Sequence, residues 1–380
     1  MWASEKNVRN LAHLIASDDN GRMRILPAML LLAACGDDLR GPEAPTVNTP
    51  TSNPVGESQP AARWRPEVCG VESWANTTAT DLAMSVVTSD RGAVIFGVPK
   101  SGGAVVAYSI DTQGKMDTAG VPIATSASFT SVAASNVDGR YVVAAVTGPE
   151  TVMSLVTMDL GQVDQFGKLQ GNLLATNPVV SARQMNLTAT ADAGGVTLST
   201  FDSAWNLAST EHLANGVIGM DAAPYGGDAL VAYSTRIGCV VRELAVVKTA
   251  IALEACPSPH LAVGWGDRAE LAYVHNDGVH VGDVYMSGHN AIASTHLVGP
   301  LGTSPRIAFD GQRYWMTYID ARGGVAVGYL SEDFGTLVSL ALEDVTPSAD
   351  AYDLKIVNGQ PMVFSASSRG YAAHTICLTH

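Results

Sequence analysis

Apolar and polar positions alternate over short runs through most of this chain, and the runs come in sets. Ser304–Glu343 is the clearest set: SPRIAFDGQR, YWMTYIDAR, GGVAVGYLSEDFG and TLVSLALED read as four short strands separated by tight turns. A period of two puts successive side chains on opposite faces of a strand, and the Gly, Asp and Asn between runs supply the turns.

The set recurs. With Tyr314–Tyr318 (YWMTY) marking the second strand, its equivalents are AVIFG at Ala93, YVVAA at Tyr141, MNLTA at Met185, ALVAY at Ala229, AELAY at Ala269 and PMVFS at Pro361. Start-to-start spacings are 48, 44, 44, 40, 45 and 47 residues. A period near this value is expected for a β-propeller of four-stranded antiparallel blades. Most marks follow a tight-turn sequence such as Val137-Asp138-Gly139-Arg140 or Asp310-Gly311-Gln312-Arg313. Copy three has Ser181-Ala182-Arg183-Gln184, lacks the glycine, and has the least defined boundary. Seven evenly spaced copies without a break in composition argue against a β-sandwich followed by a second domain. Trp315 and Tyr318, in the reference strand, are expected to pack between blades.

The last copy ends with three strands, near Tyr352–Val357, Pro361–Ser365 and Tyr371–Leu378, whereas Arg65–Asn76 precedes the first copy and has no place in it. The economical arrangement gives Arg65–Asn76 to blade seven as its outer strand, closing an all-β, seven-bladed ring over residues 64–380. That places Cys69 beside Cys377 and predicts a disulfide between them. Cys239 and Cys256 are symmetric about Val247–Lys248, so a two-residue turn there would set them opposite each other on a hairpin and allow a second bridge.

Composition agrees with an all-β chain and restricts partners. Of 380 residues, 47% are hydrophobic and only 15% charged, and the net charge of −14 opposes phosphate, so no nucleic-acid partner is expected. There are five cysteines, so one is left over once four pair.

Met23–Cys35, MRILPAMLLLAAC, has a basic residue, a short apolar run and small residues directly before a cysteine, which is the layout of a secretory signal. Leu32-Ala33-Ala34-Cys35 resembles the lipobox of bacterial lipoproteins. The resemblance implies cleavage before Cys35, diacylation of its sulfur, and attachment to a membrane of the bacterial envelope; more than one acyl chain is what durable anchoring needs. Residues 1–35 are read as signal peptide, with Met23 as the initiator, because Asp18 and Asp19 do not suit a basic leader. Residues 36–63 are rich in Pro, Thr and Ser and read as a disordered tether. Gly36, rather than Asp, after the cysteine points to the outer membrane under the enterobacterial sorting rule. The pattern IAFDGQRYWMTYIDARGGVAVGYL, with its variant VVAYSIDTQGKMDTAGVPIA in copy one, is similar to a divergent propeller repeat of secreted and lipoprotein-type bacterial proteins. It lacks the signatures of WD40 and kelch repeats.

Candidate chemistry is sparse. His260, His275, His280, His289 and His296 fall on different strands and turns without ligand spacing, so no metal is expected. Thr88-Ser89-Asp90-Arg91-Gly92 is similar to the Asp-box turn of sialidases but precedes the second strand, whereas that family places it between the third and fourth. No residue pattern asks for a cofactor or assembles a catalytic set. Trp205 and Trp265, both at turns, are the candidate ligand contacts. The expectation is a membrane-anchored envelope lipoprotein presenting a propeller as a binding or scaffold module for a protein or glycan. The alternatives are an envelope hydrolase or lyase acting through the propeller face and a purely structural envelope component.

Overall fold

The computed structural model of the protein describes residues 64–379, apart from 75–81 and parts of turns and connections at 100–101, 113, 118, 176, 183–184, 193, 237, 245–247, 253–254, 266–267, 287–290, 332–335, 343–344, 349–350 and 368–369. Cys35 and the segments read as signal peptide and tether lie outside the described residues.

Seven antiparallel blades follow one another along the chain. Blade 1 is built from Leu82–Ser89, Gly92–Pro99, Gly103–Ile110 and Val121–Phe129, and blade 2 from Ser131–Val137, Arg140–Thr147, Glu150–Thr157 and Val163–Gln170. In blade 3 the inner strand is split into Leu173–Leu174 and Val180–Ala182, both paired with Met185–Asp192; Gly195–Phe201 and Leu207–Ala214 complete it. Blade 4 comprises Gly219–Tyr225, Asp228–Thr235, Gly238–Glu243 and Lys248–Ala252, and blade 5 His260–Val263, Arg268–His275, Gly278–Tyr285 and Ala291–Pro300. A single parallel pairing, Ile251 to Ala291, joins the outer strands of these two. Blade 6 is Thr303–Phe309, Tyr314–Ile319, Val325–Leu330 and Leu337–Leu342. Tyr352–Val357, Gln360–Ser367 and Gly370–Thr379 form blade 7, and Arg65–Trp74 pairs antiparallel with Gly370–Thr379 as its outer strand. Each of the seven marks lies in a second strand, as the repeat predicts.

The marks are legible because of where second strands sit. A strand with a neighbour on each side and a blade on each face is buried throughout, so it reads as a continuous apolar run. Gly92–Pro99 and Asp228–Thr235 are buried at every position but the last, whereas the outer strand Leu207–Ala214 is exposed along most of its length. The tight turns behave as their sequences predict. Asp138-Gly139 and Asn358-Gly359 have positive φ at both residues, as type I′ hairpins require.

Each seam between neighbouring blades has its own apolar cluster. Phe96, Phe129, Tyr141 and Val143 fill the seam between blades 1 and 2. Ile95, Phe364 and Tyr371 fill the one between blades 7 and 1, which closes the ring. Trp315 packs between blades 6 and 7 and Tyr318 between blades 5 and 6.

Polar side chains stitch the inner strands to one another. An inner strand pairs on one side only, so its free edge carries backbone N–H groups that cost free energy if buried unbonded. Asp353 Oδ2 accepts the Val86 N–H at 3.1 Å from blade 7 to blade 1, and Ser85 Oγ accepts the Ala134 N–H at 3.0 Å from blade 1 to blade 2. Asp221 Oδ2 accepts the Leu261 N–H at 2.7 Å from blade 4 to blade 5, and His260 Nδ1 accepts the Ile307 N–H at 3.3 Å from blade 5 to blade 6. Asn177 Nδ2 donates to the Ala222 carbonyl at 3.0 Å across the seam of blades 3 and 4, and the Tyr352 hydroxyl donates to the Ser304 carbonyl across that of blades 6 and 7. Burial, with Arg306 and Lys355 nearby, holds His260 well below the ordinary histidine range. Its contact with Asp221 at 3.7 Å is therefore not an ion pair, and a neutral ring is what Nδ1 needs to accept a hydrogen bond.

Both predicted disulfides are present. Cys69 sits at a bulge between Val68 and Gly70 and bonds Cys377, with Cα atoms 5.8 Å apart. Cys239 bonds Cys256, but not as a facing pair on a hairpin. The strands pair Glu243 with Lys248, a register centred two residues nearer the N-terminus than Val247–Lys248, so Cys239 faces Ala252. Cys256 lies beyond the outer strand, in the connection to blade 5, where its N–H bonds Ser234 Oγ at 3.0 Å and its side chain is buried in the seam between blades 4 and 5.

The loop-closure account gives the ring-closing bond, spanning 308 residues, roughly 5–6 kcal/mol and the local one, spanning 17, roughly 3 kcal/mol. Replacing Cys69 and Cys377 by serine should therefore lower the urea unfolding midpoint more than replacing Cys239 and Cys256; the reverse order contradicts this reading.

Candidate functional site

Antiparallel succession divides the loops between two ends of the ring. Turns from inner to second strand and from third to outer strand share one end; the remaining turns and the connections between blades share the other. The first end carries both candidate tryptophans, the main cleft and an ionic cluster. Trp64, just before the closing strand, lies there too: its carbonyl accepts the Tyr329 hydroxyl at 2.7 Å.

The cleft opens between blades 1 and 2 and has a volume of about 580 Å³. Arg91 from the first turn of blade 1 and Lys115 from its third-to-outer turn stand at the rim, while Val94, Met116, Tyr141 and Met158 supply apolar surface. Asp111 and Asp117 also line it, and each is engaged by its own turn: Asp111 Oδ1 accepts the Lys115 N–H at 2.8 Å and Asp117 Oδ1 the Ala119 N–H at 3.0 Å. Arg91 and Lys115 form no ion pair with a described residue. Burial raises the Tyr141 phenol above the ordinary tyrosine range, opposed by its bond with Ser89, so it stays protonated and polar at the cleft floor.

The equivalent position between blades 5 and 6 is filled instead. Val94 faces Ser109 in blade 1; Glu270 faces Asp283 in blade 5. Arg268 bridges the two carboxyls, Nε to Glu270 Oε1 at 3.0 Å and Nη2 to Asp283 Oδ1 at 2.7 Å, and the Tyr285 hydroxyl donates to Asp283 Oδ2 at 3.3 Å. The Glu270 side chain is fully enclosed while that of Arg268 is 40% exposed above it. Burial first, then Asp283, pushes the Glu270 carboxyl up to about 9, against the pull of Arg268. The ion-pair geometry alone suggests a charged Glu270. Full burial and the neighbouring carboxyl outweigh it, so Glu270 keeps its proton. That proton is shared in a side-chain hydrogen bond with Asp283, its cross-strand partner.

The two tryptophans part company. Trp205 is half-buried with positive φ, and its ring lies 5.0 Å from Phe166, capping the seam between blades 2 and 3. Trp265 is 67% exposed. Its ring meets Phe309 edge to face at 5.3 Å, and its carbonyl accepts the Arg268 N–H at 3.3 Å. Of the histidines, His260 belongs to the inner-strand stitching, and His280 contacts Asp277 Oδ1 at 2.7 Å with the His275 ring 5.5 Å away. The Arg268–Glu270–Asp283 cluster escaped the sequence reading. Its one visible signal is the Glu that interrupts the apolar mark AELAY, where the other six marks have no charge.

No family model and no curated protein matches the sequence. Solved structures do match in fold. U3-55K superposes with a TM-score of 0.57 at 12% identity, covering 82% of this chain and 99% of that one. The hydrazine synthase of Kuenenia stuttgartiensis gives 0.57 at 14%, covering 80% and 98%. BBS1N, solved in complex with ARL6DN, gives 0.53 at 10%, covering 83% and 97%. At these identities the likeness shows the fold alone: this chain is a seven-bladed β-propeller, a fold that serves as a binding or scaffold module in general and hosts other activities as well.

Glu270 makes stability pH-dependent with a definite sign. Its folded value lies above the unfolded one, so its contribution is complete below about 4.5 and falls as pH rises toward about 9. Glu270→Gln mimics the protonated acid. Its thermal midpoint should match that of the unmodified protein near pH 4.5 and exceed it by a few degrees at pH 8.5; equal midpoints at both pH values overturn the assignment.

Proposed function

We propose that this protein is an envelope-anchored binding module: Cys35 carries the lipid, residues 36–63 tether, and the propeller takes its ligand on the end that holds the cleft. One observation carries the reading. The cleft between blades 1 and 2 combines an apolar floor with Arg91 and Lys115, two cations without ion partners among the described residues, in a chain of net charge −14. A concave site with a few placed polar groups on apolar surface is what ligand pockets share. The complex of BBS1N with ARL6DN illustrates a propeller of similar fold engaging a protein.

Two measurements test the parts separately. Cells labelled with a fatty-acid analogue should transfer it to the unmodified protein and not to Cys35→Ala; equal labelling removes the lipid anchor. A photo-reactive side chain at Lys115 should cross-link a discrete envelope partner and lose it in Arg91→Glu, while one at Thr346, at the opposite end of the ring, should not. Equal capture from both positions removes the cleft as the ligand site.

A further inference from the structure

The mouth of the seam between blades 5 and 6 has the parts of a second recognition site. Trp265 is 67% exposed and Tyr285 43%; the Trp265 carbonyl accepts the Arg268 N–H and Tyr285 faces Arg268 across the strands, so all three stand at this mouth. The indole is pinned by its edge contact with Phe309, so it is presented as a fixed surface instead of a swinging one. Beside it stands a polar group already in place. Arg268 is held by two hydrogen bonds, Asp283 by Arg268 and Tyr285, and the fully enclosed Glu270 holds Arg268 from below. Side chains locked in this way lose little freedom when they bind.

The cluster occupies a position where blade 1 manages with Val94 and Ser109. The arrangement costs desolvation that an apolar pair would avoid, and its exposed parts are an aromatic face, a guanidinium and a phenol.

These parts select a ligand class. Arg268 is already hydrogen-bonded to two carboxyls, so the site has little positive charge to offer an anion, and the net charge of −14 disfavours anions generally. A flat indole suits an apolar ring face lined with weakly positive C–H groups, which the negative face of an aromatic ring attracts. A dense row of hydroxyls suits the adjoining guanidinium and phenol, which Asp283 holds in place. Both demands are met by a pyranose with equatorial substituents. We infer that Trp265, Arg268 and Tyr285, positioned by Asp283, form a binding subsite for a neutral oligosaccharide, separate from the cleft between blades 1 and 2.

The test is titration calorimetry of the propeller-bearing chain with cellotetraose, tetraacetylchitotetraose and maltotetraose. Saturable binding to at least one is expected, weakened at least tenfold in Trp265→Ala and also weakened in Asp283→Asn. Trp205→Ala and the cleft variant Arg91→Glu should leave it unchanged, so the outcome is independent of the cleft. Trp265 lies on the surface, so thermal melts should show its replacement leaving the ring intact; Trp265→Phe, retaining a ring, should keep part of the affinity. Absence of binding to all three sugars, or binding indifferent to Trp265→Ala, overturns the proposal.

Discussion

The free edge of each inner strand is the constraint around which this ring is organised. Inner strands converge without hydrogen-bonding to one another as a sheet, so their outward backbone groups need partners from elsewhere. The chain supplies them with side chains one blade away. The Val86 N–H donates to Asp353 while its neighbour Ser85 accepts from the Ala134 N–H; the Leu261 N–H donates to Asp221 while its neighbour His260 accepts from the Ile307 N–H. Adjacent residues thus act as donor and acceptor in two relays. Asp221 is fully buried and Asp353 nearly so. Such carboxylates would be expensive in isolation, and their hydrogen bonds to backbone N–H groups are what make the burial tolerable.

Apolar packing follows from that geometry. There is no single centre; each seam holds its own cluster, and every second strand contributes one face to each of two seams. A ring built this way is only as sound as its last seam. Blade 7 borrows its outer strand from the N-terminal side, and the Cys69–Cys377 bond locks that strand to its neighbour. The Cys239–Cys256 bond has a different job. It pins the connection between blades 4 and 5 into their shared seam, next to the point where their outer strands touch.

Equivalent positions in different seams have been put to different uses. At the mouth between blades 1 and 2, small residues leave a cleft; between blades 5 and 6, Arg268, Glu270 and Asp283 fill the same place. The backbone repeats while the side chains at this one level diverge, which is where a propeller has freedom to acquire function. Positions deeper in the seams have no such freedom, because a neighbour on each side dictates volume and polarity.

Blade number, the identity of every second strand and the borrowing of Arg65–Trp74 were all determined by the sequence itself, because burial on both faces writes a continuous apolar run and tight hairpins demand Gly, Asn or Asp at local positions. The cysteine pairs were legible too, since a closed ring leaves each few choices. Tertiary structure alone decided how Cys239 meets Cys256: the strands pair in a register centred two residues before Val247–Lys248, and the bond forms through a connection instead of across a hairpin. It also separated Trp265 from Trp205, two turn tryptophans that look alike in sequence but differ in which neighbour lies beneath them. Finally, it brought Asp353 to Val86 and Arg268 to Asp283. The first pair is joined only when the ring closes and the second only when two strands align, and no local pattern encodes a contact whose partner is chosen by the fold.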